Sequence, residues 1–293
     1  VPGDALDRAA LEALDGLLRA LTLERLADDR FRACNEPGRF GRIFGGQMIG
    51  QALLAACATV TDKPPHSLHV YFSTTGDLDH PVEMAVERVR DGRSMATRRV
   101  TMTQGERTLL IAMASFHDNA DRPTLAPPPP PSQPPELLPL LQDWAEKAPP
   151  DLPNPRVWID TPPPLEMRIG EPTYFLGGSS ADGPRSHWMR LPRNVGDDPA
   201  LHSVLLAYAS DYLLLDMAYR SHPDRAPVTS FAAFSLDHTI WLHRPVQFDQ
   251  WHIHTQEMLS MSGHRALIKG TIHDIAGQLV ATTAQEVLVR DNS

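Results

Sequence analysis

At 293 residues, with 42% hydrophobic and 22% charged residues, the chain has the balance of a globular protein and enough length to bury a substantial core, in two ordinary domains or one large one. A net charge of −9 argues against nucleic acid as the main partner but leaves room for a polyanionic small molecule held by a local arginine cluster, with Arg39/Arg42 and Arg93/Arg98/Arg99 as candidates. Only two cysteines occur, Cys34 and Cys57, with no apolar run of about 18 residues, no secretory leader pattern and no terminal Ser-Lys-Leu, so the expectation is a cytoplasmic protein with no membrane span, disulfide framework or thiolate metal site.

Residues 5–29 set Leu11, Leu14, Leu17, Leu18 and Leu21 at helical spacing with Asp15, Arg19 and Glu24 outward, which predicts an amphipathic helix. After a turn at Pro37-Gly38, the stretch from Gly45 to Cys57 reads as a buried helix of small and aliphatic residues. Its glycines permit a close approach, either of another backbone or of a ligand at the helix N-terminus, where free N–H groups attract an anion or a carbonyl oxygen. From His66 the period becomes two. Four strands follow, over 67–72, 82–89, 93–102 and 108–116, with Asp91-Gly92 and Gln104-Gly105 in turns short enough for an antiparallel meander.

Sixteen prolines fall within residues 119–165, which excludes a continuous helix or paired central strands there. A stiff spacer, partly polyproline II and interrupted by an amphipathic segment around Leu137 to Trp144, is the simpler reading; docking to a recognition module is the other. The second half then repeats the first: a strand near 186–191, a helix over Leu201–Ala218, and strands over 230–241, 251–260, 266–274 and 278–290. Laying Gly92 on Gly263 brings Gly105 within one residue of Gly277, an internal duplication with a period of about 170 residues. A long buried helix wrapped by an antiparallel sheet, twice in one chain, is an α+β double hot-dog arrangement. Its expected units are 1–118, a Pro-rich linker 119–165, and 166–293.

The second buried helix contains a carboxylate, Asp211, within the apolar run from Leu205 to Asp216. An ionised carboxylate in such a place is costly unless something bonds to it. It is either a satisfied core Asp or a general base in a water-poor cleft, and the run alone does not decide.

Five segments in order carry a more specific likeness: Gly41-Arg-Ile-Phe-Gly-Gly-Gln-Met-Ile-Gly-Gln-Ala-Leu, His66-Ser-Leu-His-Val-Tyr-Phe, Leu206-Ala-Tyr-Ala-Ser-Asp-Tyr-Leu, Ser235-Leu-Asp-His-Thr-Ile-Trp-Leu-His-Arg-Pro, and Val280-Ala-Thr-Thr-Ala-Gln-Glu-Val-Leu. Through them the chain resembles the type II acyl-CoA thioesterases, the TesB-like family, over nearly its whole length. The resemblance implies hydrolysis of acyl-CoA without a cofactor, in a homo-oligomer. It also implies a water held by an Asp, a Thr or Ser, and a Gln, which here are Asp211, Ser235 and Gln285. An ionised Asp accepts hydrogen bonds only, a Ser can donate or accept, and a Gln amide does both, so the three suit general-base activation of one water. An acyl-enzyme on Asp211 stays open at this point. So do a non-catalytic acyl-CoA-binding or sensing module and another hot-dog activity such as enoyl-CoA hydration. Gly45 and Gly46 are candidate oxyanion or substrate-binding positions.

Other polar features read as structural. Asp237 and His238 are strand neighbours that point to opposite faces, which suits supporting roles rather than a triad. His252 and His254 share a strand face but lack an obvious third ligand for a metal. His66 and His69 suit packing or substrate contact, and no Gly-x-Ser-x-Gly elbow occurs. Since Gly45 to Cys57 carries no carboxylate, one complete catalytic set per chain is expected, borne by the second half.

Overall fold

The computed structural model describes residues 2–38, 40–118 and 125–291. Its first half comprises α1 (Pro2–Ala20), β1 (Glu24–Ala27), β2 (Arg30–Ala33), α2 (Gly45–Cys57), β3 (Pro65–Phe72), β4 (Val82–Asp91), β5 (Met95–Gln104) and β6 (Arg107–His117). The four strands expected from period-two alternation are present. The first helix stops at Ala20 rather than near residue 29: residues 24–33 form a hairpin whose turn places Asp29 at φ +55°, and β2 extends the sheet by pairing with β4. Leu14, Leu17 and Leu21 do face the core, so the apolar stripe marked the buried face correctly but not the helix end.

The second half comprises β7 (Glu166–Ile169), β8 (Arg185–Arg190), α5 (Pro199–Ala209), α6 (Leu214–Arg220), β9 (Phe231–Ser235), β10 (Asp237–Leu242), β11 (His252–Ser262), β12 (Arg265–Asp274) and β13 (Leu279–Asp291). Between the halves lie two short helices, α3 (Leu141–Lys147) and α4 (Val157–Asp160). All strands join one antiparallel sheet in the order β1-β2-β4-β5-β6-β3-β10-β13-β12-β11-β8-β7, with β9 also paired to β13. The halves meet edge to edge where β3 pairs with β10, and the sheet curls around α2 and α5.

Those two helices cross closely because α2 presents glycines to α5. A Cβ on Gly46 would lie 2.3 Å from the Tyr208 carbonyl oxygen, and Gly50, one turn on, faces Val204 and Tyr208 at ordinary contact distance. The backbone that the glycines admit is therefore another helix.

The expected helix over Leu201–Ala218 is two helices. Asp198 caps α5 by accepting from the Ala200 N–H, with Pro199 in the first turn. After Ala209 the chain turns over Ser210 to Leu213, where Leu213 takes φ +66°, and resumes as α6. Gln256 on β11 donates to the freed Tyr212 carbonyl at 2.8 Å, so the interruption leaves that buried acceptor satisfied. Unbroken apolarity cannot reveal such a break, because both pieces are buried.

The expected strand over 230–241 is also interrupted. Ser235 pairs with Val287 and Thr239 with Ala284, so four steps along β9 and β10 match three along β13. The extra residue makes a β-bulge around Leu236.

Three fully buried histidines, His187, His238 and His254, lie on the sheet's inner side, and burial holds each below its ordinary pKa, His187 to about 3 and His238 to about 4. They are neutral in the fold and take protons near pH 6.5 once unfolded. Unfolding free energy should therefore fall as pH drops from 6.5 toward 4, by about 1.4 kcal/mol per pH unit for each proton taken up. Asp211, whose pKa is raised to about 6, offsets one of these protons below pH 6. Denaturant melts at pH 7, 6 and 5 check this, and a flat profile would contradict it.

Candidate active site

An apolar cavity of about 770 Å³ opens beside the sheet's interruption. Its walls come from both halves. The first half contributes Phe40 to Gly45, Met48 and Phe72 to Thr75; the second contributes Asp211 to Leu213, Tyr219, Phe231 and Ala233 to Leu236. Residues of the Pro-rich segment, Pro153, Asn154, Val157 and Trp158, close one side, so this stretch builds wall as well as connecting the halves. Trp158 is buried with its ring 5.9 Å from Phe40 and 6.4 Å from Tyr212. An aromatic in proline-rich sequence carries no signal of that role.

Asp211 stands in the non-helical turn between α5 and α6, 6% exposed. Burial is the largest influence on its carboxyl and pushes the pKa up to about 6, against hydrogen bonds from the Gln285 side chain and the Gly46 backbone N–H and the nearby charge of Arg42. Gly46 lies in the first turn of α2, where N–H groups lack intrahelical acceptors, so Asp211 also sits at the favourable end of that helix's dipole. Gly45 makes room: a Cβ there would lie 2.7 Å from Asp211 Oδ2. Asp211 Oδ1 has no hydrogen-bond partner among the described residues.

The structure brings Ser235 and Gln285 to the same place. Gln285 Nε2 donates to Ser235 Oγ at 2.9 Å. Ser235 lines the cavity, whereas Gln285 is fully buried behind it and is not a lining residue. His238 Nδ1 lies 2.6 Å from Gln285 Oε1, and its Nε2 lies 2.9 Å from Ser210 Oγ. Ser235 and His238 are three residues apart, so on a regular strand they would face opposite ways; the bulge at Leu236 turns both toward Gln285. Asp237 takes the other direction and accepts from the Glu286 N–H at 2.7 Å. The expectation that Asp237 and His238 diverge therefore holds.

The arginine candidates separate. Arg42 lines the cavity with its guanidinium 5.5 Å from the centre of the Phe234 ring; Arg39 lies outside the described residues. Arg98 is no ligand for a polyanion, since it is 1% exposed and donates to Thr59, Asp91 and the Arg90 and Thr97 carbonyls. His66, bonded to Ser115, and His69, set edge-on to Trp241, are not cavity residues. His252 bonds the Gln250 carbonyl and His254 meets Gln256 and Thr283; among the described residues no group of three His, Cys, Asp or Glu could hold a metal.

Two buried helices wrapped by one antiparallel sheet, with an unpartnered carboxylate oxygen beside an apolar cavity, define a protein of the double hot-dog class. Residues 162–288 match the family described as acyl-CoA thioesterase, and residues 36–117 match the acyl-CoA thioesterase N-terminal domain. The chain is 31% identical to acyl-CoA thioesterase 2 of Haemophilus influenzae, covering 95% of this chain and 98% of that protein. It is 33% identical to acyl-coenzyme A thioesterase 8 of Mus musculus, covering 98% and 95%. Among solved structures, acyl-CoA thioesterase II TesB2 from Mycobacterium marinum superposes with a TM-score of 0.77 at 32% identity, covering 96% of this chain and 99% of that one. The tesB protein of Mycobacterium avium subs. paratuberculosis also gives 0.77, at 30% identity with 94% and 99% covered. The chain belongs to the type II acyl-CoA thioesterase family and is a thioester hydrolase.

Because a methyl on Gly46 meets a backbone carbonyl, the helices must part to accept it. Gly46→Ala should lower stability by about 1–3 kcal/mol, and it should reduce turnover further by shifting the N–H away from Asp211. Thermal melts and rate measurements on the same preparation check both effects; a variant with wild-type melting would mean that the crossing is not tight.

Proposed function

We propose that this chain hydrolyses fatty acyl-CoA to a free fatty acid and coenzyme A, with Asp211 as general base for a water held by Asp211, Ser235 and Gln285. The supporting observation is Asp211 Oδ1, a buried acceptor without a hydrogen-bond partner among the described residues, on a residue that lines the cavity. A pKa near 6 leaves the carboxylate ionised at neutral pH, yet basic enough to take a proton from water.

In this reading Ser235 and Gln285 orient the water lone pair toward the thioester carbon. The tetrahedral oxyanion lies at the N-terminus of α2. Gly45 lines the cavity at that helix end and serves as the backbone donor for that oxygen. The thiol leaving group has a pKa near that of free cysteine, about 8.5, and departs as a thiolate with little acid assistance. No acyl-enzyme forms. The apolar lining, including Phe175, Leu215, Val228 and Phe231, suits an acyl chain, and Arg42 places a cation beside the carboxylate site.

The division into units 1–118 and 166–293 joined by 119–165 belongs to the same proposal, as does a homo-oligomer in the cytoplasm. Two free cysteines, Cys34 and Cys57, accord with a reducing compartment, and among the described residues no helix is long and apolar enough to cross a membrane.

Free-thiol release from acyl-CoA tests the assignment. Asp211→Asn should lower kcat by about 100-fold or more, and Gln285→Ala by about 10–100-fold; wild-type turnover in a folded Asp211→Asn variant would refute the base. Since only the ionised carboxylate accepts a proton, kcat/KM should rise with pH through a midpoint near 6 and then level off. Single turnover in isotopically labelled water should place label in the fatty acid alone, and label in the Asp211 carboxylate would establish an acyl-Asp intermediate instead.

A further inference from the structure

A glutamine amide is nearly symmetric in shape, and rotating it by half a turn exchanges a donor for an acceptor. If Gln285 turned over, Oε1 would face Asp211, repelling the ionised carboxylate, and Ser235 would lose its donor. Asp211 itself holds the amide correctly only while ionised. On the proposed pathway it becomes protonated in every cycle, and a protonated carboxyl could donate to a reversed Oε1. Something other than Asp211 must hold the amide through that step.

His238 is placed to do so. It lies on β10 opposite Gln285 on β13, one step along from the Thr239–Ala284 pair, and its Nδ1 is 2.6 Å from Gln285 Oε1. Two acceptors cannot share that distance, so Nδ1 carries the proton when Nε2 of Gln285 faces Asp211 and Ser235. Full burial keeps the imidazole neutral, which makes Nε2 an acceptor. Its partner, Ser210 Oγ, lies 2.9 Å away and also 2.8 Å from the Ala207 carbonyl. Ser210 Oγ donates to that carbonyl, so its single hydroxyl proton is shared between the Ala207 oxygen and His238 Nε2. Ser210 immediately precedes Asp211, so hydrogen bonds run from the break between α5 and α6 through His238 on β10 and Gln285 on β13 to Ser235, which lines the cavity with Asp211.

We propose that His238 is a positioning residue for the hydrolysis: held by Ser210 as its Nδ1–H tautomer, it locks the Gln285 amide with nitrogen toward Asp211 and Ser235. This rests on the reading of Asp211, Ser235 and Gln285 as the water-binding set. His238 touches neither water nor substrate and acts through Gln285.

The test compares His238→Asn with His238→Leu. The Asn Nδ2 stands where the imidazole Nδ1 stood and keeps a donor to Gln285; Leu keeps bulk without a donor. In folded protein, judged by circular dichroism and melting, His238→Leu should lower kcat by about 30–100-fold with KM nearly unchanged. Its acid limb should move to higher pH as the Gln285 hydrogen bond to Asp211 weakens. His238→Asn should return kcat to within about tenfold of wild type. A folded His238→Leu enzyme with wild-type kcat, or an Asn variant as slow as the Leu variant, overturns the proposal.

Nitrogen NMR of the wild-type protein, with His238 assigned by difference against His238→Asn, reads the tautomer directly and needs no active variant. Protonation at Nδ1 is expected, and protonation at Nε2 overturns the proposal. Failure of the general-base reading shows separately, as turnover retained in Asp211→Asn.

Discussion

The constraint on which the rest of this structure depends is the Asp211 carboxylate, buried where water cannot solvate it and supported by only a few directed hydrogen bonds. Burial alone would keep the group protonated. The Gly46 N–H, at the positive end of α2, and the Gln285 amide oppose that tendency, leaving a pKa near 6. Neighbouring features follow from holding the group there. Gly45 is a glycine because any side chain would meet the carboxylate, and Gly46 because the helices cross at that residue. The helix breaks over Ser210 to Leu213, which sets Asp211 in a turn facing the N-terminus of α2. Leu213 pays for that turn with a left-handed backbone that costs a branched residue about 1–2 kcal/mol.

The same place in the sheet supplies the partners. The single extra residue around Leu236 shifts the pairing of β9 relative to β10. It thereby brings Ser235 and His238, which alternation would separate, to the two ends of one glutamine amide. Beyond Phe72, β3 ends and leaves the cavity mouth beside β9. One irregularity thus aligns polar groups and marks where the cavity opens, as bulges near binding sites commonly do.

Duplication made the two halves alike in topology but not in chemistry. The carboxylate, the hydroxyl and the amide all come from the second half, as their positions in the sequence indicate. The backbone N–H that meets the carboxylate comes from the first half, and so does much of the cavity wall. Neither half holds a complete site. Residues between them, Trp158 above all, add a third contribution.

Much of this was legible in the sequence because it depends on local periodicity. Alternation marked the strands, glycines marked the turns, and the lone carboxylate in an apolar run marked Asp211 as a group that required partners. The motifs around Ser235 and Gln285 named those partners by resemblance. The hairpin at residues 24–33, the break after Ala209 and the bulge at Leu236 were not legible. Each is decided by pairing or packing with residues distant in the chain, and an apolar run looks the same whether one helix or two lie in it. The sequence by itself determined which chemical groups exist and which faces are buried. Only the tertiary structure decided that the N-terminus of α2 meets Asp211, that Gln285 joins Ser235 to His238, and that Arg98 is committed to the fold, because hydrogen-bond partners depend on positions in space that periodicity along the chain does not encode.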